Sequence, residues 1–204
     1  MKKGTLIILS LMSFAFLILS LGCNRNNRDT EKAIDYLKNL DSYTCDITMK
    51  IQNDKQVINY GGKQFYDKKY GYRFELEKSR ILIYKDNKIF IKDLQNGLNY
   101  NTDRDFDSLF KLSFIGEYIG MIYTNETVKN SFKKINNEEY QVIHLDIPGN
   151  NKNISKSELY IDLKDNSPKY LRILDSKDRE KVNIEYSNFK ANTELQQELF
   201  DVNS

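Results

Sequence analysis

Apolar and polar positions change period several times along this chain of 204 residues. Residues 4–22 carry no charge and are almost continuously apolar. Ala33, Ile34, Leu37 and Leu40 then fall on one stripe of a 3.6-residue period, which predicts a helix over 31–40 that Asp29 or Thr30 can cap. After it the period drops to two. Tyr43, Cys45, Ile47, Met49 and Ile51 alternate with Thr44, Asp46, Thr48 and Lys50, the mark of a half-buried strand. Further strands are expected over 57–66, 70–76, 80–84, 88–92 and 98–102, with Lys85-Asp86-Asn87 and Asn96-Gly97 as hairpin turns. Helical spacing returns over 105–112 (Phe106, Leu109, Phe110) and 114–123 (Phe114, Ile115, Tyr118, Ile119, Ile122). Strand patterns resume at 132–135, 140–147, 158–163, 169–174 and 182–189, and a short amphipathic tail over 195–202 closes the chain. Ten to eleven short strands, one N-terminal helix and a central helical pair predict an antiparallel α+β fold.

The apolar start has two readings. Its 19 residues approach the ~20 that span hydrocarbon, and they also form the apolar region of a secretory leader behind Lys2 and Lys3. Leu19-Ser20-Leu21-Gly22-Cys23 resembles the bacterial lipobox, with Ser20 where leucine is commonest. That resemblance implies cleavage after Gly22 and a diacylglyceryl group on Cys23. The competing reading is an uncleaved anchor with an incidental cysteine. Both leave the residues after 23 translocated and tied to the membrane. The expected organisation is a leader over 1–22, a lipidated N-terminus and tether over 23–29, and a single domain over 30–204. The tether, at ~3.5 Å per residue, reaches at most ~20 Å.

Composition narrows the chemistry. Lys and Arg total 31 and Asp and Glu 29; without Lys2 and Lys3 the two balance, so the chain has no electrostatic footprint for nucleic acid. One histidine and two cysteines leave little from which to build a metal centre or a nucleophile–base pair, and no cofactor is expected. With Cys23 acylated, Cys45 has no partner for an intramolecular disulfide and reads as a small buried hydrophobe. His144 lies in a strand opposite the apolar set Ile143, Leu145 and Ile147, beside Val142 and Asp146. It would need carboxylates alone to complete a metal site. Asp103, Asp105 and Asp107 lack the spacing of a calcium loop and fit better as acids against a helix dipole. The expected catalytic and metal residues are therefore none. The 14 Tyr and 11 Phe are in excess. Tyr43, Phe65, Phe74, Phe90 and Tyr160 are expected in the core, and others suit a lipid-lined cavity or a protein interface.

A set of landmarks follows in a telling order: a helix ending Tyr36-Leu37-Lys38-Asn39-Leu40-Asp41-Ser42-Tyr43, then Gly61-Gly62, Tyr72-Arg73-Phe74-Glu75 and Ile83-Tyr84-Lys85-Asp86-Asn87-Lys88-Ile89. Late in the chain come Leu159-Tyr160-Ile161-Asp162, Pro168-Lys169-Tyr170-Leu171 and residues 182–189. This order resembles the lipoprotein-carrier fold of LolA and LolB, an incomplete antiparallel barrel curled around a helical lid. Within that fold the chain resembles the GerS-type clostridial spore-germination lipoproteins, and a second sporulation group, YdcC-like, fits the same landmarks. The GerS resemblance implies a non-enzymatic partner of a zinc N-acetylmuramoyl-L-alanine amidase of the CwlD type, which makes the muramic-δ-lactam that cortex-lytic enzymes recognise. Two functions from different classes are thus expected to compete: an anchored amidase-binding module, or a carrier that holds an acyl chain in the half-barrel. A carrier needs a continuous apolar hollow; a binding module can fill it with its own side chains. An unclosed barrel also leaves strand edges to which the amidase or a second copy could pair.

Overall fold

The structure, a computed structural model, describes residues 29–53, 55–124 and 128–202. Helix α1 (Glu31–Lys38) leads into strands β1 (Ser42–Gln52), β2 (Val57–Asp67), β3 (Gly71–Leu76), β4 (Arg80–Lys85), β5 (Lys88–Asp93) and β6 (Leu98–Asp103). Helices α2 (Ser108–Lys111) and α3 (Ile115–Thr124) follow, then β7 (Lys129–Ile135), β8 (Glu138–Asp146), β9 (Lys156–Asp162), β10 (Pro168–Leu174) and β11 (Glu180–Ala191). The strands form one antiparallel sheet of order β6-β5-β4-β3-β2-β1-β11-β10-β9-β8-β7. The expected open, eleven-stranded α+β sheet is what the chain forms.

This order dictates where the helices go. The chain builds one half of the sheet outward from β1 to the β6 edge, then restarts at the β7 edge and works back until β11 pairs with β1. The segment between β6 and β7 must therefore cross from one edge to the other. It crosses on the concave face, where α1 buries Ala33, Ile34 and Leu37 and α3 buries Ile115, Gly116, Tyr118, Ile119 and Ile122.

Local chemistry explains the boundaries. The Asp29 carboxylate accepts the Glu31 N–H at 3.0 Å, so Asp29 supplies the cap, and the Thr30 side chain makes no capping bond. Gly97 turns the β5–β6 hairpin at φ 66°, and the two-residue β7–β8 hairpin runs through Asn136 and Asn137, both at positive φ, as its tight turn requires. Gly62 lets β2 and β3 close up: a Cβ there would lie 2.3 Å from the Glu75 carbonyl oxygen.

Two expectations need correction. Residues 105–112 are not one helix but a 3-10 turn (Arg104–Phe106) followed by the single turn of α2. Phe106, on the expected apolar stripe, is 79% exposed. Of the aromatic residues assigned to the core, Phe65 and Tyr160 are buried as expected and Phe90 only half-buried, but none of the three belongs to the core between sheet and helices. Phe65, Phe90 and Tyr160 lie on the outer face of the sheet, Tyr160 in a separate cluster with Tyr140, Val142 and Tyr170. Strand parity places a side chain on a face, but not whether that face is the concave one. Tyr43 and Phe74 are in the main core, with no exposure.

Candidate functional site

The concave face is filled. Its floor is a ladder of inward residues from neighbouring strands, Tyr43, Tyr66, Tyr72 and Tyr84, with Tyr43 and Tyr66 centroids at 5.2 Å and Tyr66 and Tyr72 at 5.1 Å. Phe114 drops onto that ladder, 4.8 Å from Tyr72 and 5.5 Å from Tyr84. Gly116 brings the start of α3 close enough that a Cβ would meet Tyr72 at 2.8 Å and Tyr66 at 2.9 Å.

Hydrogen bonds hold this lid to the floor. The Tyr43 hydroxyl accepts the Ile115 N–H at 2.9 Å. The Tyr186 hydroxyl donates to the Ser113 carbonyl at 2.7 Å, and Gln64 Nε2 donates to Ser113 Oγ at 2.6 Å. Cys45 Sγ lies 3.8 Å from Gln64 Oε1, inward as expected, and burial pushes its thiol far up. Burial likewise raises Tyr43 and Tyr186, so both hydroxyls remain neutral. Gln64 and Ser113, fully buried, do not stand out in the sequence. The available signal is a glutamine at an inward position of a strand pattern.

Three openings lie around the lid and the C-terminal tail. One of about 520 Å³ lies between α2, α3 and the β8–β9 loop, lined by Leu112, Met121, Ile147, Pro148 and Ile154 among others. One of about 310 Å³ runs beside β6, lined by Leu82, Ile89, Ile91, Tyr100, Phe106 and Phe110 with several polar neighbours. A third, of about 400 Å³, lies under the C-terminal tail beside Tyr84 and Arg104, and is mostly polar. Tyr84 Oη and Arg104 Nε are buried without a hydrogen-bond partner among the described residues.

The acids around residue 105 do not gather. Asp103 pairs with Lys88 at 3.3 Å, Asp105 with Lys111 at 3.7 Å, and Asp107 accepts the Phe110 N–H at 3.1 Å as the cap of α2. Among the described residues no cluster of three His, Cys, Asp or Glu could hold a metal ion.

His144 is placed where the alternation put it, on the outer face, and there it meets two residues from neighbouring strands. Its Nε2 is 2.8 Å from Ser131 Oγ and its Nδ1 is 3.7 Å from Glu158 Oε1. The order serine–histidine–carboxylate is that of a hydrolase relay, but Ser131 sits inside an extended strand rather than on the sharp turn that presents a nucleophile. Glu158 is committed elsewhere: it accepts from Tyr160 at 2.8 Å and Arg172 at 2.8 Å, with Lys133 at 3.5 Å. Burial would raise its carboxyl, but the Tyr160 hydroxyl and the cations Lys133 and Arg172 hold it below its ordinary value. This is a cross-strand polar network that satisfies itself on the sheet surface.

The sheet edges differ sharply. β7 carries Lys129, Lys133 and Lys134, whereas β6 has no charge from residue 98 to 102 and exposes Leu98 and Tyr100. The start of the described chain lies on the β7 side. Gln141 Nε2 donates to the Thr30 carbonyl at 2.7 Å and to Asn130 Oδ1 at 2.9 Å. Cys23, Gly22 and the apolar leader lie outside the described residues. Among the described residues no helix is long and apolar enough to cross a membrane.

A family model described as sporulation protein YdcC-like matches residues 2–200. No curated protein matches the sequence. Among solved structures, an uncharacterised conserved protein from Thermus thermophilus overlays with a TM-score of 0.53 at 9% identity, covering 86% of this chain and 93% of that one. The GerS lipoprotein structure, solved with the CwlD amidase from Clostridioides difficile, overlays with a TM-score of 0.49 at 22% identity, covering 78% and 92%. The LolA superfamily protein NE2245 from Nitrosomonas europaea gives 0.43 at 10% identity, covering 84% and 97%.

Proposed function

The chain belongs to the sporulation protein YdcC-like family, and from that premise we propose that it is a membrane-anchored, non-enzymatic binding protein. In this reading it holds and activates a CwlD-like zinc N-acetylmuramoyl-L-alanine amidase, so that muramic-δ-lactam forms in the cortex and cortex hydrolysis can follow at germination. Membership in the family supports the sporulation role, and the order of sequence landmarks supports the amidase as partner. The observation that carries the choice of a binding module over a carrier is the occupied interior. Phe114, Ile115 and Tyr118, essentially unexposed, fill the hollow in which an acyl chain would lie, and three hydrogen bonds from the sheet keep them there. What remains for recognition is the exterior and its strand edges.

Anchorage follows from the same reading. Cleavage after Gly22 leaves a diacylglyceryl group on Cys23, and the ~20 Å leash holds residues 30–204 at the outer surface of the membrane, facing the cortex in the forespore. Two acyl chains bind stably where one is marginal, so the protein stays where it is made. A second copy pairing through a free edge would be compatible with this anchorage.

A carrier or sensor of lipid is the second reading, favoured by the partly apolar opening of about 520 Å³ at the lid. Purified residues 24–204, titrated with the zinc amidase and separately with a fluorescent acyl probe, decide between them. A saturable amidase complex is expected. Saturable acyl binding with no amidase complex overturns the proposal.

A further inference from the structure

We infer that the β6 edge, with the groove beside it, takes an extended and uncharged segment of the partner protein as an added strand, and that the β7 edge does not. The inference deepens the proposed function and rests on it.

An edge strand is a row of unpaired backbone donors and acceptors, and proteins blunt such rows with lysine, proline or bulges. Here the two edges are treated differently. β7 is guarded by three lysines over seven residues, and Lys133 is further tied to Tyr160 at 2.9 Å. β6 reads Leu98-Asn99-Tyr100-Asn101-Thr102-Asp103, with no lysine and no proline and with its one charge at its last residue, where Asp103 pairs with Lys88; among the described residues it pairs on one side, with β5.

Side chains continue the same surface. Leu98, Tyr100 and Thr102 share the face of Ile89 and Ile91, by the register Ile91↔Tyr100 and Ile89↔Thr102. That face borders the groove of about 310 Å³. Leu98 is 57% exposed, Tyr100 45%, and Phe106, just beyond the strand, 79%. An added strand would place alternate side chains into the groove, which is how such pairing gains specificity. Its occupant should be uncharged where it faces Ile89 and Ile91, because a charge there would lose water, and the groove's own charges, Arg80 and Asp107, are of opposite sign and call for no net charge from the occupant.

The place where the described chain begins argues against this chain's own N-terminal segment as the occupant. The described chain begins beside β7 and β8, where Gln141 binds the Thr30 carbonyl, and only the short segment before residue 29 separates it from Cys23. The described chain thus starts near the lysine-bearing edge, at the opposite end of the strand order from β6, and the sequence just before it carries Arg25 and Arg28. The bare edge is thereby left to a partner from outside the chain.

The test uses the full chain in detergent with the zinc amidase. Leu98→Lys/Tyr100→Lys is expected to weaken the complex by about tenfold or more, as loss of a buried aromatic anchor does, while Lys133→Glu/Lys134→Glu leaves it unchanged. Hydrogen exchange on the unmodified chain guards against a folding defect in the variants: amidase should protect residues 98–103 and not 129–135. A complex that forms with equal strength in the β6 variant, or protection confined to 129–135, overturns the edge assignment and leaves the amidase reading standing. Absence of any complex with the unmodified chain overturns both. Protection of 98–103 by self-association that excludes the amidase assigns the edge to a second copy and overturns the inference.

Discussion

Tyr43 on the central strand and Ile115 at the start of α3 are 72 residues apart in sequence, and the hydroxyl of one accepts the N–H of the other at 2.9 Å in a fully buried position. Tyr186 grips the same stretch through the Ser113 carbonyl. Removing either hydroxyl leaves a buried backbone group unmatched. Tyr43→Phe and Tyr186→Phe should each cost about 1–3 kcal/mol in urea unfolding. The double variant should depart from additivity, since both act on one segment. Hydrogen exchange at residues 113–116 should quicken in each.

Phe114 is the largest lid side chain against the tyrosine floor. Phe114→Ala should destabilise by about 3–5 kcal/mol, the usual cost of emptying a buried aromatic site. If the filled hollow is what excludes an acyl chain, this variant should bind a fluorescent acyl probe more tightly than the unmodified protein.

Adjacent glycines in β2 should respond differently. At Gly62 a Cβ would sit 2.3 Å from the Glu75 carbonyl oxygen and 2.6 Å from Phe74, so the two strands must part; Gly62→Ala should cost about 1–3 kcal/mol. At Gly61 the nearest atom is the flexible end of Glu77, and Gly61→Ala should lower the urea midpoint far less.

Cys45 should be unreactive in the native state. Burial beside Gln64 raises its thiol well above the ordinary range, and the thiolate is the reacting form. A thiol reagent at pH 8 should titrate this residue only after denaturant is added. Rapid labelling of the folded protein would contradict its inward placement.

Asp175 should make stability fall in acid. Burial would raise its carboxyl, but the N–H groups of Arg179 and Lys177, each at 2.9 Å, and the Arg179 guanidinium at 2.7 Å hold it down to about 2. The folded value lies below the unfolded one of ~3.9, so the contribution is complete above that range and is lost as pH falls toward 2. Urea midpoints measured from pH 5 down to pH 2 should decline, and Asp175→Asn should start lower at pH 5 and decline less.

Alternation of period two, read with hairpin turns such as Asp86-Asn87 and Asn96-Gly97, is enough to place the strands and make them antiparallel, because the pleat and the two-residue turn are local properties of the backbone. The inward set Tyr43, Cys45, Ile47 and Met49 is legible for the same reason. The helix expected over 105–112 fails at its start: Leu109, Phe110 and Leu112 pack on the core, whereas Phe106 satisfies the 3.6 period yet is left exposed. Phe106 belongs to the rim, and the chain there is already committed to leaving the β6 edge.

From the sequence alone came the element types, their order and the scarcity of groups that could do chemistry. Tertiary pairing decided the rest: closure of the β1–β11 pair, which brings together residues some 140 apart, joined the two halves of the sheet. The crossing segment put Ser113 against Gln64 and thereby bolted the lid, the consecutive β7–β8 and β8–β9 pairs set His144 between Ser131 and Glu158, and the strand order left one edge bare and the other guarded. Periodicity reports which side of its own strand a residue occupies. Only the folded sheet, by fixing what lies across from that side, turns the position into burial, a hydrogen bond or an exposed edge.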